Sequence, residues 1–251
     1  MVYKWDLHIP KLSPELSRRA YLYLPAGYDE QPDRRFPVMY MFDGHNVFFD
    51  EDATYGKSWG MARYLDETQT PLIVAAVECN SIGNNRLEEY CPFTCEDPKL
   101  GVIRGRGRAT MNWFVHEFKQ MIDANIRTLS DRGNTFICGS SMGGLMSLYA
   151  ATAFNATFGK AACLSPSLWL GAGKMRRIIN QADIAPDTLI YMDYGGEEMA
   201  NHTANLSALT SCSTALLKKG VDLTFRIAPG GTHCEASWER QIPVFMKCLG
   251  F

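Results

Sequence analysis

The sequence has little net charge and no long apolar run. It contains 25 Lys plus Arg against 27 Asp plus Glu, which gives a formal net charge of −2. A balance so close to neutrality does not favour nucleic acid or a charged membrane surface as a partner. No apolar stretch approaches the length that crosses a bilayer, so we expect no membrane association. Residues 1–6 lack the apolar segment of a secretory signal, and we therefore expect a cytoplasmic protein.

The cysteine patterns of zinc sites and disulfide scaffolds are also missing. Eight cysteines are scattered along 251 residues, several of them inside apolar runs, where a free thiol behaves as a small hydrophobic side chain. Cys91 and Cys95 are close in sequence, but no second Cys/His pair stands at zinc spacing. The three consecutive acids Asp50, Glu51 and Asp52 cannot easily converge on one ion. We expect reduced thiols, no metal and no cofactor.

Internal repeats, low-complexity tracts and linkers are absent, and the length allows one α/β domain over residues 1–251. Short apolar runs that bury both faces of a strand alternate with segments of helical periodicity. This order predicts a mostly parallel central sheet with helices on both faces and an antiparallel edge at the N-terminus. The expected strands are 2–9, 18–24, 37–42, 72–77, 136–138, 159–164, 188–194 and 222–228. The expected helices are 57–65, 111–126, one that starts at 142, 175–181, 205–219 and 233–248.

One segment, 80–108, shows no period and is rich in Asn, Gly, Arg, Glu and Pro. A loop of this length in a compact domain is usually functional or partly ordered by a partner. We expect a long irregular loop that faces the substrate as an insertion.

The rest of the chain is organised around Ser141, which stands in the run Gly139-Ser140-Ser141-Met142-Gly143-Gly144. An apolar strand leads into this G-x-S-x-G signature and a helical segment follows at once. A serine on a sharp strand-to-helix turn has strained backbone, so its neighbours must lack bulk. The helix N-terminus favours developing negative charge there. We expect Ser141 to be a nucleophile. A nucleophile on this kind of turn requires an acid further along the chain, after a later strand, and then a histidine after the last strand.

Two histidines follow the serine. His233 comes directly after the last expected strand and a Gly-Gly turn, where a loop can reach the nucleophile's hydroxyl. His202 lies at or just before a helix and is expected to be solvated. The histidine that serves as general base is therefore predicted to be His233.

The acid that orients this base should follow strand 188–194. Three carboxylates compete there. Glu198 and Glu197 follow two glycines and are free to turn inward, whereas Asp193 lies within the strand. Glu198 is favoured, with Glu197 and then Asp193 as alternatives.

An oxyanion hole needs two backbone N–H groups. One is expected from Met142, the residue after the nucleophile, and the other from His45, with Gly44 as the alternative, in the loop after strand 37–42. Glu235 lies near the histidine, but Thr232-His233-Cys234-Glu235 reads as a T-x-x-E capping box, so Glu235 is not counted as the triad acid.

These segments resemble the α/β-hydrolase superfamily, and more narrowly the "putative esterase" family. That family contains feruloyl and acetyl-xylan esterases, enterochelin-type siderophore esterases, S-formylglutathione hydrolases and mycolyltransferases. The motifs that carry the resemblance are Asp43-Gly44-His45, Gly139–Gly144, Ser165-Pro166-Ser167-Leu168-Trp169, Gly195-Gly196-Glu197-Glu198 and Gly231–Trp238. The resemblance implies the same roles for Ser141, His233, Glu198, Met142 and His45. It also implies that Trp169 and Trp238 lie near the active site, where either could bind substrate, although a large aromatic is by default core.

The expected function is that of a serine carboxylesterase without metal or cofactor, acting on a small soluble ester such as an acylated sugar or a phenolic ester. An acyltransferase with the same triad remains an alternative, as does a catalytically silent α/β-hydrolase used as a binding module. The sequence does not fix the oligomeric state and is compatible with a homodimer.

Overall fold

The computed structural model describes residues 1–198 and 202–251 and contains an eight-stranded sheet and a separate two-stranded hairpin. The large sheet has the order β1-β2-β4-β3-β7-β8-β9-β10. Its strands are β1 (Val2–Ile9), β2 (Ser13–Tyr23), β3 (Val38–Met41), β4 (Ile73–Val77), β7 (Thr135–Ser140), β8 (Lys160–Leu164), β9 (Leu189–Gly195) and β10 (Asp222–Ala228). The hairpin is formed by β5 (Cys95–Asp97) and β6 (Gly101–Ile103).

The first two strands make the antiparallel edge of the large sheet, and the other six run parallel. β1 pairs with β2 and β2 with β4 in antiparallel register, while the neighbouring pairs of the large sheet in the order β4-β3-β7-β8-β9-β10 are all parallel. The carboxyl ends of the six parallel strands therefore meet along one edge, where an open α/β sheet places its functional groups. The predicted fold class is confirmed.

Helices pack on both faces of the sheet. They are α1 (Met61–Thr68), α2 (Asn85–Glu89), α3 (Gly107–Trp113), α4 (Lys119–Asn125), α5 (Met142–Ala153), α6 (Ala172–Gln181), α7 (His202–Lys218), α8 (Glu235–Glu239) and α9 (Ile242–Leu249). A π-helical turn at Phe114–Phe118 joins α3 to α4. Side chains of β3 alternate between the two layers: Val38 and Tyr40 enter one apolar cluster, and Met39 and Met41 enter the other. Burial on both faces explains why this strand is a continuous apolar run.

Segment 80–108 is more ordered than expected. It contains α2, the β5–β6 hairpin and the start of α3. Glu89 of α2 receives two hydrogen bonds of 2.8 Å from the buried guanidinium of Arg18, a residue of β2. The segment is thus held by a residue 71 positions away in the sequence. A hydrophobic periodicity within the segment itself cannot indicate such a distant partner.

The expected last helix, 233–248, is also corrected, because it forms as the two helices α8 and α9. Pro243 lies at the start of α9. Proline has no N–H and its ring clashes with the preceding turn, so a helix tolerates it at its beginning but not in its interior.

All eight cysteines are free thiols. Within the residues that the structure describes, no helix has both the length and the apolar character needed to cross a bilayer.

Candidate active site

Ser141 occupies a strained turn between β7 and α5. Its φ of 56° and ψ of −118° lie outside the regions that non-glycine residues usually adopt. Close approach explains two of the neighbouring glycines. A Cβ on Gly139 would lie 2.7 Å from the backbone carbon of Gly143, and one on Gly144 would lie 2.6 Å from the carbonyl oxygen of Leu164. The turn is secured by the Ser141 N–H, which donates to the same Leu164 oxygen at 2.9 Å. The serine side chain is thereby held at the carboxyl edge of the sheet.

Two hydrogen bonds of 2.9 Å connect Ser141 to His233 and His233 to Glu198. His233 Nδ1 lies against Glu198 Oε2, and His233 Nε2 lies against Ser141 Oγ. Because an ionised carboxylate only accepts hydrogen bonds, we assign the ring proton to Nδ1, which leaves Nε2 free to accept from the serine hydroxyl. The structure thus brings together the three residues that the sequence selected from separate strand ends.

Further donors hold the Glu198 carboxylate, which is 2% exposed. Its Oε1 accepts a hydrogen bond of 2.9 Å from the Gly195 N–H and a second from the Ser165 hydroxyl. Ser165 in turn accepts one of 3.0 Å from Trp238 Nε1. The rings of Trp238 and His233 are also nearly perpendicular, with their centroids 5.0 Å apart. Both oxygens of the carboxylate are therefore fixed before any ligand binds.

The other carboxylates and the other histidine near β9 lie elsewhere. Glu197 is exposed, and His202 begins α7 with its ring against that of Tyr194. Asp193 is buried and accepts hydrogen bonds from the Ser165 N–H at 3.1 Å and from the hydroxyl of Tyr191 at 2.8 Å. Burial raises the pKa of Asp193 to about 6, with the hydrogen bonds opposing that shift and the Glu198 charge adding to it.

This raised pKa makes Asp193→Asn a test of how stability depends on pH. Between pH 4 and 6 the folded protein retains a proton on Asp193 that the unfolded chain has lost. The contribution of this group to the free energy of unfolding therefore falls as pH rises through that window, by up to about 3 kcal/mol. We expect Asp193→Asn to remove this fall in urea titrations between pH 4.5 and 7. Asp33→Asn, in an exposed loop, should follow the wild type. An unchanged slope in Asp193→Asn would contradict the assignment.

The turn Gly44–Asn46 follows β3 and carries His45 beside the serine. Asp43, which precedes the turn, has the left-handed values φ 55° and ψ 51°. Within residues 1–198 and 202–251, the N–H groups of His45 and Met142 donate to no protein acceptor. Free N–H groups of this kind suit a developing oxyanion.

An ion pair holds this turn in place. Arg86 of α2 donates two hydrogen bonds of 2.7 Å to the two carboxylate oxygens of Asp43. The Asp43 N–H donates to the hydroxyl of Tyr90 at 3.3 Å. Burial alone would raise the pKa of Asp43, but the Arg86 guanidinium more than offsets this and keeps the pKa below its ordinary value. Segment 80–108 thus braces the turn.

We expect Arg86→Ala to lower the free energy of unfolding by about 3 to 5 kcal/mol, because it leaves the Asp43 carboxylate buried without a partner. Urea denaturation measures this loss. The matched control is Arg63→Ala, since Arg63 pairs with Glu239 on the surface with 62% of its side chain exposed. Such surface pairs contribute about 0 to 1 kcal/mol. Equal losses of unfolding free energy in the two variants would show that the ion pair of Arg86 and Asp43 does not stabilise the turn.

The ligand atoms of Asp43, His45 and Cys79 lie within 4.8 Å of one another. This set fits a metal poorly. Both Asp43 oxygens already receive charge-assisted hydrogen bonds from Arg86, and burial raises the pKa of the Cys79 thiol, which disfavours the thiolate that binds metals.

A cavity of about 550 Å³ opens beside Ser141 and His233, and Trp238 lines it. A much smaller cleft, which also contacts His233, is lined by Trp169. Trp169 is 40% exposed and Trp238 is 6% exposed. The two tryptophans therefore border different spaces, and Trp238 also braces Ser165.

Glu235 corrects the capping-box expectation. The first residue of α8 is Glu235 itself, and the Thr232 hydroxyl lies 3.0 Å from Ser237 Oγ. The Glu235 carboxylate instead accepts from Asn46 Nδ2 at 3.3 Å, across the cavity edge. A capping box requires its Glu at the third helical position, and here the helix begins two residues too late for one.

The sequence predicted no role for three supporting residues. Ser167 Oγ lies 3.3 Å from Ser141 Oγ, Ser165 supports the carboxylate, and Arg86 braces the turn. The two serines follow β8 at the same carboxyl edge as the other site residues, and that position could have identified them. No comparable signal marks Arg86.

Solved structures share this architecture. A ferulic acid esterase superposes with a TM-score of 0.70 at 15% identity, covering 100% of this chain and 98% of that one. The BES protein from Bacillus cereus superposes with a TM-score of 0.74 at 19% identity, covering 100% and 95%. Among curated proteins, the uncharacterized protein YbbA of Bacillus subtilis (strain 168) is 25% identical over 185 residues, which is 72% of this chain and 69% of YbbA.

The fold is that of an α/β-hydrolase. The sequence profile of the family described as "Putative esterase" matches residues 13–247, and the chain belongs to that family. It is accordingly a serine esterase.

Proposed function

We propose that the chain hydrolyses a small soluble carboxylic ester, such as an acylated sugar or a phenolic ester, through a triad of Ser141, His233 and Glu198. The two 2.9 Å contacts that link these side chains carry the proposal. A nucleophile, a base and an orienting acid within hydrogen-bond reach are what acyl transfer requires.

In the first half-reaction Ser141 Oγ attacks the ester carbonyl carbon while His233 Nε2 accepts the serine proton. The carbonyl oxygen becomes negative and accepts hydrogen bonds from the N–H groups of Met142 and His45. Glu198 stabilises the imidazolium through Nδ1–H. When the tetrahedral intermediate collapses, the ester C–O bond breaks and Nε2–H protonates the departing alkoxide.

Water completes the cycle. It attacks the acyl-serine while His233 takes a water proton, and collapse returns that proton to Ser141 Oγ as the carboxylic acid leaves. No step uses a metal or cofactor. The eight free thiols suit a reducing compartment, so we propose that the enzyme is cytoplasmic and that residues 1–251 form one catalytic domain.

Covalent labelling tests the nucleophile. A fluorophosphonate should modify the wild type with loss of fluoride, and peptide fragmentation should place the adduct on Ser141. Ser167→Ala is the matched control, because its hydroxyl lies 3.3 Å from that of Ser141. Ser167→Ala should still be labelled, and Ser141→Ala should not. An adduct on Ser167, or none on the wild type, would refute the proposal.

A further inference from the structure

The cavity of about 550 Å³ beside Ser141 has more polar than apolar surface. Its volume falls in the range of small-molecule sites. Uncharged polar residues in its wall include Asn46, Thr54, Asn80 and Ser81. A hydroxylated group would find hydrogen-bond partners here.

Four carboxylates also line this cavity, and each of three of them either forms ion pairs with Lys or Arg or accepts hydrogen bonds at both oxygens. These three are Asp43, paired with Arg86; Asp52, between Lys4 and Arg19; and Glu78, which accepts from the Arg19 N–H and the Tyr21 hydroxyl. The fourth carboxylate, Glu235, differs from them.

Glu235 is 5% exposed, yet no Lys or Arg of the described chain lies within ion-pair distance of it. Its donors are Asn46 Nδ2, which contacts Oε1 at 3.3 Å, and its own backbone N–H. Burial raises the pKa of Glu235, and the nearby Asp43 charge adds to this, while the backbone N–H and His233 oppose it. A buried carboxylate with so few donors is costly, and a ligand donor would offset that cost.

We propose that Glu235 accepts hydrogen bonds from substrate hydroxyl groups and so selects polyhydroxylated esters. This inference rests on the proposed esterase function and narrows it. Glu235 lines the same cavity as Ser141 and His233, so a hydroxyl that it binds belongs to the part of the substrate that occupies this cavity beside the scissile ester. A hydroxyl suits this part of the wall, because the residues Asn46, Asn80 and Ser81 in the same lining supply further uncharged hydrogen-bonding groups.

Two acetate esters with the same carbon ring test the inference: myo-inositol monoacetate and cyclohexyl acetate. Because the acetyl group is common and small, the ring must occupy the larger cavity in both. We expect the wild type to prefer the inositol ester in kcat/KM by about 10- to 100-fold, and Glu235→Gln and Glu235→Ala to remove most of that preference. A substitution that slows the hydrolysis of both esters by the same factor leaves the ratio of their kcat/KM values unchanged. Glu239→Gln, on the same helix but paired with Lys57 and Arg63, should keep the wild-type ratio.

The possible outcomes distinguish a failure of this inference from a failure of the proposed esterase function. If the wild type hydrolyses neither ester and resists the phosphonate, the esterase proposal itself fails. If it hydrolyses both esters equally, or if the Glu235 variants lose both activities in proportion, Glu235 only braces Asn46 and the inference is overturned. Acetylcholine carries a charge without a hydrogen-bond donor, so a preference for it over the inositol ester would also overturn the assignment of hydroxyl groups.

Discussion

Replacing Ser141 by alanine is expected to lower kcat/KM for p-nitrophenyl acetate by about 10⁵-fold or more, because no other group supplies the attacking oxygen. His233→Ala should cost a similar factor, since the serine hydroxyl is then attacked without a base. The double variant should lose no more than either single variant, because the two side chains act as one unit. Steady-state kinetics with a background correction measures all three.

Ser147→Ala is the matched control for this series. It deletes a buried hydroxyl from the same helix, α5, where the side chain donates to the Gly143 carbonyl. Its kcat/KM should stay within a few-fold of the wild type. Additive losses in the Ser141 and His233 double variant would mean that the two residues act independently, which the proposed mechanism does not allow.

The sequence predicts those parts of the site whose geometry depends on contacts between residues close together in the chain. The glycines around Ser141 are required by backbone contacts within one strand-turn-helix unit, so their spacing is visible in the sequence. His233 and the carboxylates near the end of β9 were predictable for a second reason. Parallel strands deliver their following loops to one edge, so counting strands locates His233 and the group Asp193, Glu197 and Glu198 before any distance is known, without deciding among the three acids.

The parts that could not be predicted depend on partners far away in the chain. Arg86 braces a turn 43 positions earlier, and Arg18 orders Glu89 71 positions later. Glu235 had a sound local explanation as a capping residue, but a tertiary contact with Asn46 took its place. A sequence pattern such as the capping box describes the structure that a segment favours in isolation. Burial of a charged side chain can override that preference, because a buried charge without a partner is strongly destabilising.

Glu198→Gln should lower kcat by about 10³- to 10⁴-fold while KM changes little. The substitution keeps the side chain's volume but replaces one acceptor oxygen with an NH₂ donor. Oε1 already accepts from Gly195 and Ser165, so the amide nitrogen is driven toward His233. Nδ1 must then accept rather than donate, which puts the ring proton on Nε2, where it cannot take the serine proton.

The neighbouring carboxylates give this prediction its controls. Glu197→Gln makes the same chemical change one residue away at an exposed position, and it should alter kcat by less than about twofold. Asp193→Asn changes a buried carboxylate that hydrogen-bonds to Ser165 and Tyr191 rather than to the histidine, so its loss should be far smaller than that of Glu198→Gln. If either control loses more kcat than Glu198→Gln, the acid of the triad is not Glu198. A loss of kcat confined to Glu198→Gln would instead show that turnover requires the Glu198 carboxylate, which keeps the ring proton of His233 on Nδ1.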